Sequence, residues 1–252
     1  MKKLNKKKTI IISIVALCII LIGTLTSLYF IDKNKPKDDG NNNIGIDTLI
    51  GDTTMEVKQS EEEGRNLQNE TKALNATYSD VIGWLKVPGT SIDTPIFKSS
   101  DNEYYLKHDR DKKSTEWGEE FLDYRNDISN MDNMSHFIIY GHNTKKDDNF
   151  TPILNYKNEQ FLKDHGIIEF STLNGNYKWE IFSTYVTDIN DFYIDTNFLD
   201  ANEYTQFLYN LESKRMYNEG VEVIGNETIL TLSTCDYSRT DGRFVVQAKL
   251  IK

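Results

Sequence analysis

Thr9 through Ile31 form 23 consecutive residues without a charge, rich in Ile, Leu, Val and Ala, and five lysines (Lys2, Lys3, Lys6, Lys7, Lys8) precede them. A helix of about 20 apolar residues crosses the hydrocarbon core of a bilayer, so the run is long enough to span. A cleaved secretory signal carries a shorter apolar region, about 7–15 residues, ending in small residues at its cleavage site. This run ends Ser27-Leu28-Tyr29-Phe30-Ile31, and the aromatic pair suits a membrane interface. The expectation is an uncleaved, single-pass signal anchor at the cell membrane. Residues 1–8 form a cytoplasmic basic tail, residues 9–31 the transmembrane segment, and everything after Ile31 lies outside. The water-soluble fold is thereby confined to roughly 220 residues, enough for one domain or one domain on a stalk.

Without the five lysines, that outer part holds 24 Lys+Arg against 39 Asp+Glu. Such a surface repels polyanions, and no basic face with interleaved aromatics is present, so nucleic acid is excluded as a partner. Residues 32–53 read as a flexible linker. The stretch Lys33-Asn34-Lys35-Pro36-Lys37-Asp38-Asp39-Gly40 and the asparagines after it have too few apolar residues to offset the entropy of ordering. Residues 54–77 have helical composition, and Glu61-Glu62-Glu63 is a solvated helix face.

From about residue 78 the pattern becomes β-like. Short apolar runs are separated by Pro, Gly, Asn and Asp: 82–87, 91–97, 121–124, 136–140 and 166–171. Pro95 marks an edge or a bulge. A longer strand begins at Tyr177, where Tyr177, Trp179 and Ile181 alternate with Lys178 and Glu180; the alternation blurs after Phe182. An amphipathic helix follows Asp200, its N-cap, with Tyr204, Phe207, Leu208 and Leu211 at i, i+3, i+4 and i+7. The intervening residues around 190–193 are irregular, and a long connection of this kind is more often functional than accidental. Two last runs, 228–232 and 243–251, close the chain.

Cys235 follows the first of these runs, in Thr231-Leu232-Ser233-Thr234-Cys235. The only other cysteine, Cys18, lies in the anchor. A solitary thiol outside the cell has no disulfide partner, and reactivity is the role left to it. Arg243 opens the next strand. Across a hairpin it shares a face with the thiol, where a fixed positive charge can hold a peptide carbonyl or its developing oxyanion. As a bland alternative, an arginine at the start of an edge strand faces water, and Asp236, Arg239 and Asp241 are solvated turn charges.

A cysteine nucleophile also needs a proton donor and acceptor. Of the four histidines, His142 ends a strand in Tyr140-Gly141-His142-Asn143, a position like that of Cys235. His108 lies in a charged loop, His136 opens a strand as a structural residue, and His165 ends a helix before Gly166. His142 is the candidate partner. No His/Cys cluster has zinc spacing.

With these residues in place the chain resembles the sortases, the Gram-positive surface transpeptidases, and class B most closely. The resemblance rests on Thr231 to Cys235, on Arg243 before Val245-Val246, and on Tyr140-Gly141-His142. Asp80 to Leu85 with Pro88 to Asp93, Asp101 to Leu106, Gly118 to Tyr124, and the helix-bearing connection before the cysteine strand agree with it. It covers roughly residues 78–252, the expected catalytic domain. One departure is Thr94, where an aromatic is common.

The resemblance implies a mainly β fold, a closed eight-stranded barrel with flanking helices and an N-terminal helical extension (54–77). It implies a membrane-anchored cysteine transpeptidase without cofactor or metal. Its partners would be secreted proteins bearing a sorting signal and the amine of a cell-wall precursor. Cys235 would cleave the signal after Thr through a thioacyl enzyme, His142 would serve as general acid and base, and Arg243 would position the substrate. Ser233 and Asp236 match positions lining the family's substrate groove. Two alternatives use the same sequence: a cysteine hydrolase releasing the acyl group to water, and a membrane-tethered binding protein whose cysteine is inert.

Overall fold

A computed structural model of the chain describes residues 65–133, 135–217 and 221–251. The basic tail, the anchor, the linker and residues 54–64 of the helical extension lie outside the described residues.

Helix α1 (Leu67–Asn75) is the described part of that extension. Asn66 caps it by accepting from the Asn69 amide at 3.2 Å, which satisfies one of the first-turn N–H groups. Leu67 and Thr71 are its buried residues. Gln68 donates to the Leu173 carbonyl at 2.9 Å, so the helix is pinned to a strand turn.

Eight strands follow: β1 (Val81–Lys86), β2 (Asp93–Phe97), β3 (Phe121–Leu122), β4 (His136–Tyr140), β5 (Ile167–Thr172), β6 (Gly175–Asp188), β7 (Ile229–Cys235) and β8 (Gly242–Ile251). They close into a barrel in the order β1-β2-β3-β4-β7-β8-β6-β5. Pairing is antiparallel except for β2 with β3 and β4 with β7. The expected closed barrel of eight strands is therefore observed. Pro95 has no N–H to donate, and it pairs only with Trp84 of β1, because β2 meets β3 at the single rung Phe97–Phe121.

Alternation along the strands sorts the side chains into two sets. Phe137, Ile139, Leu230, Leu232, Phe244, Val246 and Ala248 point into the barrel and pack with Trp179, Phe170 and Leu85. Ile229 and Val245 point outward, into a second cluster with Phe182, Tyr193 and the buried residues of helix α3 (Ala201–Ser213). That helix begins at the expected cap, Asp200, whose carboxylate accepts from the amides of Asn202 and Glu203. The cover also explains the blurred alternation of β6. Its register with β8 shifts between Ile181 and Ser183, and Phe182 to Tyr185 are all buried. Beyond the bulge both faces of the strand are covered, so Ser183 and Thr184 are as buried as Phe182 and Tyr185 and no polar-out alternation survives.

Glu120, just before β3, is a buried acid with 4% exposure whose Oε1 has no hydrogen-bond partner among the described residues. Thr94, the residue that departs from the usual aromatic, reaches its other oxygen at 3.4 Å. Burial pushes the Glu120 carboxyl up to about 7, with the charge of neighbouring Glu119 adding to it and Arg110 opposing. The folded chain thus holds a proton the unfolded chain has lost. This stability is present below the ordinary glutamate range and is lost as pH rises through 7. Glu120→Gln is expected to gain on the parent by about 3 kcal/mol between pH 4.5 and pH 8. Denaturant melts at both pH values check it, and a pH-independent difference would contradict it.

Candidate active site

Strand pairing brings the three candidate catalytic residues to the same end of the barrel wall. Cys235, the one cysteine among the described residues, ends β7 and pairs directly with Arg243 at the start of β8. On the other side of β7, β4 runs parallel, and its last rung joins Tyr140 to Ser233. His142 lies two residues beyond that rung on its strand, as Cys235 does on β7. Residues at one level of neighbouring strands present side chains to the same face. The face is the outer one, since Ile229 and Val245 share the parity of Cys235 and Arg243.

The chain leaves β4 through Gly141, whose backbone passes so close to Phe150 that an added Cβ would lie 2.4 Å from the ring. The Phe150 amide returns to the His142 carbonyl at 3.0 Å, closing the following residues into a loop. His142 places Nε2 at 2.9 Å from the Leu106 carbonyl. A carbonyl only accepts, so Nε2 carries a proton and Nδ1 is the ring nitrogen left for proton exchange. Trp117 meets the imidazole edge-on at 5.8 Å.

Arg243 is half-buried between β6 and β7, on an interior strand and not an edge. Among the described residues its guanidinium bonds only the carbonyls of Gly242 at 2.9 Å and Asp241 at 3.5 Å. The fork therefore keeps N–H donors for a ligand.

A cavity of about 270 Å³ opens on this level, lined by His142, Cys235, Arg243, Ser233, Leu106 and Tyr193, among others. Ser233 shares a hydrogen bond with the Tyr193 hydroxyl at 2.9 Å. Burial raises the Tyr193 phenol, while the Ser233 bond and the Arg243 charge oppose it. The irregular residues 189–194 supply Ile189, Tyr193 and Ile194 to the lining, so this connection is a wall of the site. Their composition carries no pattern, and only the burial of Tyr193 marks them.

Asp236 lies outside this lining. It is 3% exposed, ion-paired with Lys157, and accepts from the Ser238 amide at 2.9 Å. Burial alone would raise its carboxyl, but the Lys157 and Ser238 bonds outweigh this and hold it below the usual carboxylate range. Its amide donates to the Gly242 carbonyl at 2.9 Å, closing the turn between Cys235 and Arg243. It is therefore a brace of the turn and not a solvated charge. His136 is buried between the Asp195 carbonyl at 2.7 Å and Thr231 Oγ1 at 2.5 Å, and burial lowers it to about 4. His165 caps helix α2 (Glu159–Asp164). His108 is not simply solvated; its ring stacks on Tyr104 at 4.2 Å.

Asp123, quoted above only within a motif, supports the cavity from behind. It is fully buried and accepts from Asn102 Nδ2 at 2.9 Å, from the Tyr140 hydroxyl at 2.9 Å and twice from the Arg125 side chain. Burial would raise this carboxyl too, but Arg125 and Asn102 hold it low. Arg125 also donates to the Ile194 carbonyl at 3.0 Å. Three pieces of the cavity wall thus hang on one carboxylate. Asp123→Asn is expected to raise the KM for a sorting peptide about 10-fold and change kcat less than about 3-fold, since recognition and not chemistry is disturbed. Steady-state kinetics check it; an unchanged KM would contradict it.

A closed barrel whose wall sets a thiol, an imidazole and a guanidinium around one cavity defines a cysteine-dependent acyl-transfer enzyme. Residues 85–251 match the sortase domain model, and the chain belongs to the sortase family, the cysteine transpeptidases that act on sorting-signal substrates and cell-wall precursors in Gram-positive bacteria. Sortase B of Staphylococcus aureus (strain NCTC 8325 / PS 47) is 36% identical over 183 residues, 72% of this chain and 74% of that protein. Sortase B of Listeria monocytogenes serovar 1/2a (strain ATCC BAA-679 / EGD-e) is 35% identical over 187 residues, 73% of this chain and 75% of that protein. Among solved structures, the Staphylococcus aureus sortase B–substrate complex superposes with a TM-score of 0.69 at 33% identity, covering 82% of this chain and 94% of that one.

Proposed function

We propose that the enzyme cleaves a C-terminal sorting signal after Thr and transfers the new acyl end to a cell-wall amine. The Cys235 thiolate attacks the threonine carbonyl, and Arg243 donates to the oxyanion that forms. The C–N bond breaks as protonated His142 gives its proton to the departing amine, leaving a thioester on Cys235. An incoming amine then attacks the thioester, His142 takes up its proton, and the thiolate leaves. The single observation that carries this reading is the common cavity, lined by Cys235, by its rung partner Arg243 and by His142.

Residues 9–31 anchor the enzyme in the membrane with the catalytic domain outside. The uncharged length of the run and the lysines before it support this. Impermeant labelling of intact cells tests it: the domain should be labelled and the N-terminus protected.

The function is tested by adding a glycine oligomer or a diaminopimelate-bearing peptide to the cleavage reaction. Transfer predicts an amine-ligated product that rises with amine concentration at the expense of free acid. A partition that never moves with amine would leave a hydrolase.

A further inference from the structure

Asn143 is 3% exposed and every polar group of its side chain is engaged. Its Nδ2 donates to the carbonyl of Cys235 at 2.9 Å. Its Oδ1 accepts from the Lys145 amide at 3.0 Å and from Thr151 Oγ1 at 3.1 Å. Its own carbonyl accepts from the Tyr237 hydroxyl at 2.8 Å. Residue 143 is therefore tied to Cys235 and to Tyr237 two residues on, while being covalently next to His142.

The need for such a tie follows from the ladder. Strands β4 and β7 are paired as far as Tyr140 and Ser233. One more contact survives beyond, the Gly141 amide on the Ser233 carbonyl at 3.3 Å, and Thr234 Oγ1 adds a bond to the Gly141 carbonyl at 2.7 Å. The backbone then diverges, and no further backbone N–H of β4 reaches Cys235. The Cys235 carbonyl would lose its partner on that side, and the two strand ends would separate just where the acid–base residue and the nucleophile sit. The Asn143 amide supplies the missing donor.

We propose that Asn143 is a positioning residue, whose side-chain amide extends the β4–β7 ladder by one rung and thereby holds His142 at a fixed distance from Cys235. This rests on the reading of His142 and Cys235 as the reacting pair. Asn143 is not itself among the residues that line the cavity, so it acts on chemistry and not on recognition. A displacement of about 1 Å in such a pair costs up to about 100-fold in rate.

Two variants separate the donor from the rest. Asn143→Ala removes all three side-chain bonds. Asn143→Asp keeps the shape and the acceptor for Thr151 and Lys145, but sets an oxygen against the Cys235 carbonyl in place of the N–H. Both are expected to lower the single-turnover rate of Cys235 acylation by about 10- to 100-fold, with Asp no better than Ala. Peptide affinity, measured in a Cys235→Ala background, is expected to stay within about 2-fold. Thermal melts identify any unfolded fraction, and the Asp variant remains informative if Ala fails to fold. Wild-type acylation by Asn143→Asp, or a loss found wholly in peptide affinity, would overturn the proposal. If the wild type itself forms no thioacyl adduct, the proposed function fails instead. The ladder extension is then decided by iodoacetamide labelling of Cys235, where equal rates in wild type and Asn143→Asp would overturn it and a change beyond 2-fold would support it.

Discussion

Cys235→Ala is expected to abolish transpeptidation, with a loss of at least about 10⁴-fold, and to leave the melting temperature unchanged. The first part follows from chemistry. No other thiol exists among the described residues, and neither His142 nor Ser233, itself bonded to Tyr193, can take over a thioester. The second part follows from packing. Cys235 is half-exposed at the end of β7 and belongs to none of the buried clusters, so the truncation creates no core cavity. The backbone bonds that hold the strand end come from Asn143 and the β8 ladder and do not involve sulfur. Peptide cleavage followed by mass spectrometry, beside a thermal melt, checks both. Residual turnover above about 1% of wild type would place the nucleophile elsewhere.

Arg243→Lys is the second large effect, an expected loss of about 100- to 1,000-fold in kcat, the scale seen when a donor to a developing oxyanion is removed. Charge is preserved, so a purely electrostatic role predicts near-wild-type activity. Geometry argues otherwise. The guanidinium is braced by the Gly242 carbonyl at 2.9 Å, and the remaining donors of its planar fork open on the cavity that holds Cys235. A lysine ammonium is a mobile point donor that cannot hold both the turn and the substrate. The melting temperature is expected to fall little, since the ladder pairing of Cys235 with residue 243 is made by backbone. Kinetics of the lysine variant within about 5-fold of wild type would show that charge alone suffices.

Much of this was legible in the sequence, for reasons that differ by element. The strand at 177–186 and the helix after Asp200 declare themselves through period, because each has one covered and one open face over part of its length. Cys235 and Arg243 could be placed together because a short turn joins their strands, and a hairpin carries its own register. His142 is different. It reaches Cys235 through a parallel pair whose partners are 93 residues apart (Tyr140 and Ser233), and no local pattern encodes that pairing. Its strand-end position after a glycine was the sole signal, and the sortase resemblance supplied the rest.

The residues that escaped were those whose role is to hold others. Asp123 looks like one acid among many until its burial and its bonds to Asn102, Tyr140 and Arg125 are seen. Asp236 beside the thiol reads as a groove residue, yet Lys157, far away in sequence, claims it. Asn143 reads as a turn residue. Hydrogen-bond partners of this kind are set by tertiary placement, which propensity and periodicity do not carry.

The central claim is that the thiol of Cys235 carries the acyl group between the sorting signal and the amine. Intact-mass spectrometry of the enzyme, quenched in acid after mixing with a sorting-type peptide, tests it most directly. The enzyme is expected to gain the mass of the peptide fragment ending in Thr, less water. Digestion should map it to Cys235, and added amine should discharge it. Peptide cleavage with no adduct under any quench, and undiminished in Cys235→Ala, would contradict it.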